Sequence, residues 1–195
     1  MAPNAWRVNI LAREKGLDLP AVMIDQRDPV ARAEYTRINP FGQVPSLELD
    51  DGTVITESLV ICRYLDEVGQ GPSMFGDSPA ERAVIGMWER RAELRLFIPC
   101  VEYGHHARPE NAADFVQSAE FAESQKAIVR DFLPLMGQQL ERGEYLAGDR
   151  FSIADITAYV GCTIAMFYGL LEPAPPAVTA WRERVGRRPA VMAML

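Results

Sequence analysis

The stretch Asn39-Pro40-Phe41-Gly42-Gln43-Val44-Pro45-Ser46-Leu47 decides how this chain reads. A proline at the entrance to a strand gives up a ladder donor, which is tolerable at a sheet edge or in a tight turn with a cis Val44–Pro45 bond. With that bond cis, the N–H and C=O of Val44 face outward and can pair with an extended, peptide-like ligand as a neighbouring strand would. An ordinary loop into a hairpin is the simpler use of the same residues. Directly downstream, Ser46-Leu47-Glu48-Leu49 alternates with period two, Asp50-Asp51-Gly52 turns, and Thr53-Val54-Ile55 returns, which is a hairpin signature.

The returning strand runs straight into Thr56-Glu57-Ser58-Leu59, and the stripe Leu59, Val60, Tyr64 and Leu65 predicts a helix from Glu57 to Val68 that stops at Gly69. A helix start offers free N–H groups and positive partial charge, so it suits a carboxylate, with the Ser58 hydroxyl as a further donor. Glu57 can then hold an ammonium. Together these recognise an amino-acid head group; plain helix capping is the alternative use of Thr56 and Ser58.

Upstream, Asn4 can cap a helix whose apolar positions Val8, Leu11 and Ala12 share a face, with Lys15-Gly16 ending it. Ala21 to Ile24 reads as a strand, and Asp28-Pro29 opens a short helix that ends before Asn39-Pro40. The Gly- and Pro-rich residues 70–79 form the expected linker between a mixed α/β domain over 1–69 and an all-helical domain over 80–195. Helices are expected over about 80–106, 111–142, 152–170 and 177–187. Ser152 and Asp155 form a variant capping box at the start of one of them, a folding device. Phe97-Ile98-Pro99 should kink the first.

Composition narrows the function classes. At 195 residues, 48% hydrophobic and 24% charged, the chain matches an ordinary globular protein of one or two domains. No run approaches the ~18 apolar residues of a membrane span. The net charge of −7, with the basic residues scattered, argues against a nucleic-acid partner. Cys62, Cys100 and Cys162 form no CxxC pair, and the only histidines are the adjacent His105 and His106, so neither a disulfide framework nor a metal site is expected. The first residues lack a signal-peptide layout, which points to the cytoplasm.

The order of these features, from the Asn-Pro-x-Gly-Gln-Val-Pro strand entrance through Glu-Ser at a helix start, the linker and the Ser-x-x-Asp box to the ending Trp181-Arg182-Glu183-Arg184-Val185-Gly186-Arg187-Arg188-Pro189-Ala190-Val191, resembles the cytosolic glutathione transferase family. The resemblance spans Asn4 to Val191. It implies a thioredoxin-like N-terminal domain that holds glutathione and an all-α C-terminal domain that supplies the second-substrate pocket. Val44 before Pro45 would pair with the cysteinyl backbone of glutathione, Gln43 would approach the same stretch, and Glu57 and Ser58 would hold the γ-glutamyl group. It also implies a homodimer, and catalysis by lowering the pKa of the bound thiol so that its thiolate attacks an electrophile.

Two departures stand out. Members of that family begin with a strand and a loop carrying a Ser, Tyr or Cys against the glutathione sulfur. This sequence enters a helix almost at once, so the first strand is expected to be missing, and the codons before Met1 would tell whether the reading frame is longer. The loop position falls on Met1, Ala2 or Pro3 or upstream of them, and no Ser, Tyr or Cys lies near the first helix. Asn4 is the polar side chain at that helix start, and its amide can donate to a thiolate. In the helical half, Trp88, Arg91, Tyr103, His105 and His106 are the candidates for the second-substrate pocket, with Arg95 continuing the Trp88–Arg91 stripe. Conjugation of glutathione to a small hydrophobic electrophile is the leading expectation, and a catalytically silent, transferase-like binding protein is the alternative.

Overall fold

A computed structural model describes residues 2–193, which divide into two compact units, the first running to Ser73 and the second starting at Met74. The first unit contains α1 (Pro3–Glu14), α2 (Pro29–Tyr35), β1 (Leu47–Glu48), β2 (Val54–Ile55) and α3 (Ser58–Val68). β1 and β2 form the expected antiparallel hairpin, with Leu47 opposite Ile55 and Glu48 opposite Val54. α1 packs on α3, burying Ile10 and Leu11 against Ile61, Cys62 and Leu65. A buried ion pair ties the far ends of these helices: Lys15 Nζ lies 3.1 Å from Asp66 Oδ1 and donates to the carbonyls of Gly71 and Pro72. Such a pair adds little net stability over an apolar contact, but it fixes one packing of the two helices.

Two expectations for this unit need correction. Ala21–Ile24 forms no strand: the segment is irregular, with Val22 85% and Met23 89% exposed. A strand requires a ladder partner for its N–H and C=O groups, and among the described residues none lies alongside. Second, Asn4 does not cap α1. The helix starts at Pro3 behind Ala2, and the Asn4 side chain turns to other partners. The sheet of the described residues is the two-stranded hairpin alone; Met1 lies outside them.

The second unit is helical: α4 (Pro79–Ala92), a π-helical turn (Glu93–Phe97), α5 (Ile98–Ala107), α6 (Ala119–Leu140), α7 (Ile153–Phe167), α8 (Pro176–Gly186) and α9 (Pro189–Met192). α7 is buried along most of its length and packs against α4, the π-turn and α5. Gly161 permits this approach, since a Cβ there would sit 2.9 Å from Leu96 Cγ. The expected kink takes the form of the π-turn: Pro99 has no N–H to continue an α-helical ladder, and one turn earlier the ladder widens so that the Ile98 N–H donates to the carbonyl of Glu93. The helix expected over 111–142 starts later, at Ala119 capped by Ser118, after a 3-10 turn at Pro109–Asn111 and an irregular segment. The Ser152/Asp155 capping box is present, and Asp155 does more than cap: its carboxylate also accepts from the Leu146 N–H at 3.0 Å and the Trp181 indole N–H at 2.9 Å.

Candidate functional site

In the first unit the pairing of β1 with β2 brings the chain entering β1 and the chain leaving β2 to the same end of the hairpin. Val44-Pro45 thus stands at the end where Thr56-Glu57-Ser58 opens α3. The Val44–Pro45 bond is cis. Among the described residues the Val44 N–H and C=O have no hydrogen-bond partner. The loop before it is anchored from behind. Gly42 holds φ +65°, a conformation that suits glycine, and donates to the Asn39 carbonyl at 2.8 Å. The Gln43 carbonyl accepts from Asn39 Nδ2 at 2.6 Å and from Tyr35 Oη at 2.9 Å. Because Tyr35 spends its one proton on Gln43, the 2.6 Å contact between Tyr35 Oη and Ser46 Oγ has Ser46 as donor. Tyr35 and Asn39 are both buried, so Val44 is presented on a braced loop while the Gln43 side chain stays exposed.

At the start of α3, Glu57 is the residue outside the first turn. It is exposed and, among the described residues, is the non-glycine residue with positive φ, +67°, a conformation L-residues adopt at a cost. No side chain caps this helix; its first bond within the turn is the Ile61 N–H to the Glu57 carbonyl, leaving the N–H groups of Ser58, Leu59 and Val60 uncommitted among the described residues. Uncapped donors on a positive helix end form an anion site in waiting. The Ser58 hydroxyl is buried and already engaged: it accepts from Arg7 Nη2 at 2.7 Å and donates to Asn4 Oδ1 at 2.9 Å. Arg7 Nη2 also donates to Asn4 Oδ1 at 2.8 Å. The structure therefore joins Asn4 and Ser58, and it leaves the Asn4 Nδ2 donor without a partner among the described residues.

In the second unit the second-substrate candidates fall into two groups. Trp88 and Arg91, with Arg95, line a cavity of about 610 Å³ together with Phe132, Leu135 and Arg142. The Arg91 guanidinium stacks over the Trp88 ring at 4.8 Å. Tyr103 and His106 do not line it; they belong to an aromatic cluster at the end of α5. There Tyr103 meets Tyr168 at 5.7 Å and His105 stacks on Phe115 at 3.9 Å, while His106 Nδ1 accepts from the Ser118 N–H at 3.1 Å. Burial holds His105 below the ordinary imidazole value, with Glu102 opposing that shift and His106 adding to it. All three cysteines are buried, and burial pushes the Cys162 thiol up to about 12 and raises that of Cys100. The Cys100 and Cys162 thiols thus favour the neutral form, which is a poor nucleophile. Among the described residues no group of His, Cys, Asp and Glu side chains is arranged to hold a metal.

Sequence reading missed Arg7, Tyr35 and Asn39. Arg7 follows Asn4 at helical i, i+3 spacing, which was the available signal; the roles of Tyr35 and Asn39 depend on a loop closure that spacing does not reveal.

Residues 2–68 match the glutathione S-transferase N-terminal domain, and residues 92–189 match the glutathione S-transferase C-terminal domain. The chain is 36% identical to glutathione S-transferase 2 of Saccharomyces cerevisiae over 167 residues, covering 84% of this chain and 72% of the yeast protein. Among solved structures it resembles a glutathione S-transferase domain-containing protein of Marinobacter aquaeolei, with TM-score 0.86, 37% identity and coverage of 97% of this chain and 95% of that one. It also resembles Gtt2 of Saccharomyces cerevisiae, with TM-score 0.85, 33% identity and coverage of 100% and 96%. The hairpin with its braced Val44, the uncapped start of α3 and the helical second unit thus sit in a chain of known kind: it belongs to the glutathione S-transferase family, with a thioredoxin-like N-terminal domain and an all-α C-terminal domain.

Proposed function

We propose that this transferase binds glutathione along the hairpin end of its first unit and joins the sulfur to a small hydrophobic electrophile, working as a homodimer in the cytoplasm. The observation that carries the reading is the uncapped start of α3. Three free N–H groups, that of Ser58 among them, and the helix dipole suit the γ-glutamyl carboxylate, the Ser58 hydroxyl proton being committed to Asn4 Oδ1 rather than offered to the ligand, and the exposed Glu57 carboxylate suits the γ-glutamyl ammonium. The outward N–H and C=O of Val44, before Pro45, match the cysteinyl backbone of an extended tripeptide, and the exposed Gln43 is available to the same stretch. Asn4 Nδ2 is the donor offered to the thiolate, since the Asn4 oxygen is occupied. For the electrophile, an aromatic ring bearing a negative group fits the cavity of Trp88, Arg91 and Arg95, and a neutral aromatic ring fits the cluster of Tyr103 and His106.

The test is turnover of glutathione with an aryl halide, combined with ultraviolet titration of the bound thiol. The proposal expects conjugation above the solution rate and a bound-thiol pKa below the free value of ~8.5. Binding with an unshifted thiol and no turnover would instead support the catalytically silent alternative. Trp88→Ala and Tyr103→Phe, compared by KM for the halide, separate the two electrophile sites.

A further inference from the structure

Arg7 belongs to α1, yet its guanidinium works at the start of α3. It is 3% exposed, and one nitrogen, Nη2, donates both to Asn4 Oδ1 at 2.8 Å and to Ser58 Oγ at 2.7 Å. Ser58 Oγ closes the triangle by donating to Asn4 Oδ1 at 2.9 Å. Removing an arginine from water costs several kcal/mol unless its surroundings return that energy, and a serine at a helix start needs no cation to keep it there. What the triangle achieves is local. Asn4 is in the first turn of α1 and Ser58 begins α3, so two helix N-termini meet at one point with a fixed positive charge between them. The Ser58 hydroxyl is also held in one rotamer with a lone pair taken by the cation.

We propose that Arg7 is a positioning residue for the γ-glutamyl carboxylate of glutathione. It acts through its charge, which raises the positive potential at the three free N–H groups of α3, and by holding the side chain of Ser58, whose own N–H is one of those three, in place. This rests on the reading of α3 as the γ-glutamyl site. A purely structural arginine would staple α1 to α3 and affect all ligands alike; a positioning arginine discriminates by the carboxylate.

The experiment is calorimetric titration of wild type, Arg7→Met and Arg7→Lys with glutathione and with cysteinylglycine, which lacks the γ-glutamyl group. Folding is followed in parallel by circular dichroism and thermal melting. R7M is expected to weaken glutathione binding about tenfold or more, the scale of one charge-assisted hydrogen bond, and to leave cysteinylglycine within about twofold. R7K keeps the charge but not the fork, and is expected to fall between R7M and wild type. In turnover the loss appears in kcat/KM for glutathione, because Arg7 also holds the Asn4 side chain. Equal weakening of both thiols, or R7M binding glutathione like wild type, would overturn the proposal. If R7M does not fold, R7K decides by the same comparison: a loss for glutathione alone supports positioning, and unchanged or equally weakened binding overturns it. A wild-type protein that binds neither thiol would refute the glutathione reading itself, an outcome distinct from either variant result.

Discussion

Glu57 shows at the scale of one residue how the site is set against stability. Its φ of +67° costs about 1 kcal/mol relative to glycine, and the cost is accepted at the residue whose carboxylate is proposed to meet the ligand ammonium. Glu57→Gly should therefore raise the unfolding free energy by up to about 1 kcal/mol in urea titrations while weakening glutathione binding. A variant that lost stability would show that the side chain, not the backbone, was stabilising that turn. Legibility at this scale followed a simple division. The positions of Ser58 and Glu57 at a helix start and of Val44 before a cis proline were readable because they follow from local sequence. Arg7, Tyr35 and Asn39 were not, because each acts on a residue brought near only by folding: Arg7 on Ser58, 51 positions away, and Tyr35 on the carbonyl of Gln43.

At the scale of elements, the turn and cap signals held where local chemistry suffices and failed where a partner was required. The Asp50-Asp51-Gly52 turn produces its hairpin and Ser152 with Asp155 produces the start of α7. Ala21–Ile24 has strand composition but no ladder alongside it, and the π-turn before Pro99 answers to both a missing N–H and the close passage of Gly161. Asp155 is the point where α7, α8 and the segment carrying Leu146 meet, since it is fully buried and takes four hydrogen bonds. Asp155→Ala orphans the Trp181 and Leu146 N–H groups and should cost about 3 kcal/mol or more, read as a lower urea midpoint. At the end of α5, His105 is held below its ordinary value of 6.5, so the fold favours the neutral ring. The unfolded chain then binds a proton more readily than the folded one, and stability should fall as pH drops through 6.5 toward the folded value. His105→Gln should flatten that slope between pH 7 and about 6, whereas an unchanged slope would assign it to other groups.

For the whole molecule, the division of labour was legible in outline: a mixed first unit followed by a helical second one is visible in the change of periodicity beyond the glycines and prolines of residues 70–79. The arrangement of the second-substrate candidates was less so, because Trp88 and Arg91 share a helical stripe with Arg95 and line a cavity, while Tyr103 meets Tyr168 at the end of α7 and His106 accepts from the Ser118 N–H. The central claim is that the start of α3 and the backbone of Val44 form one glutathione site. It is tested most directly by a crystal structure of the protein saturated with glutathione. The account predicts the γ-glutamyl carboxylate on the N–H groups of Ser58, Leu59 and Val60 at the start of α3, and the cysteinyl N–H and C=O paired to Val44. Glutathione bound with its γ-glutamyl group elsewhere, or no glutathione at saturating concentration, would contradict it.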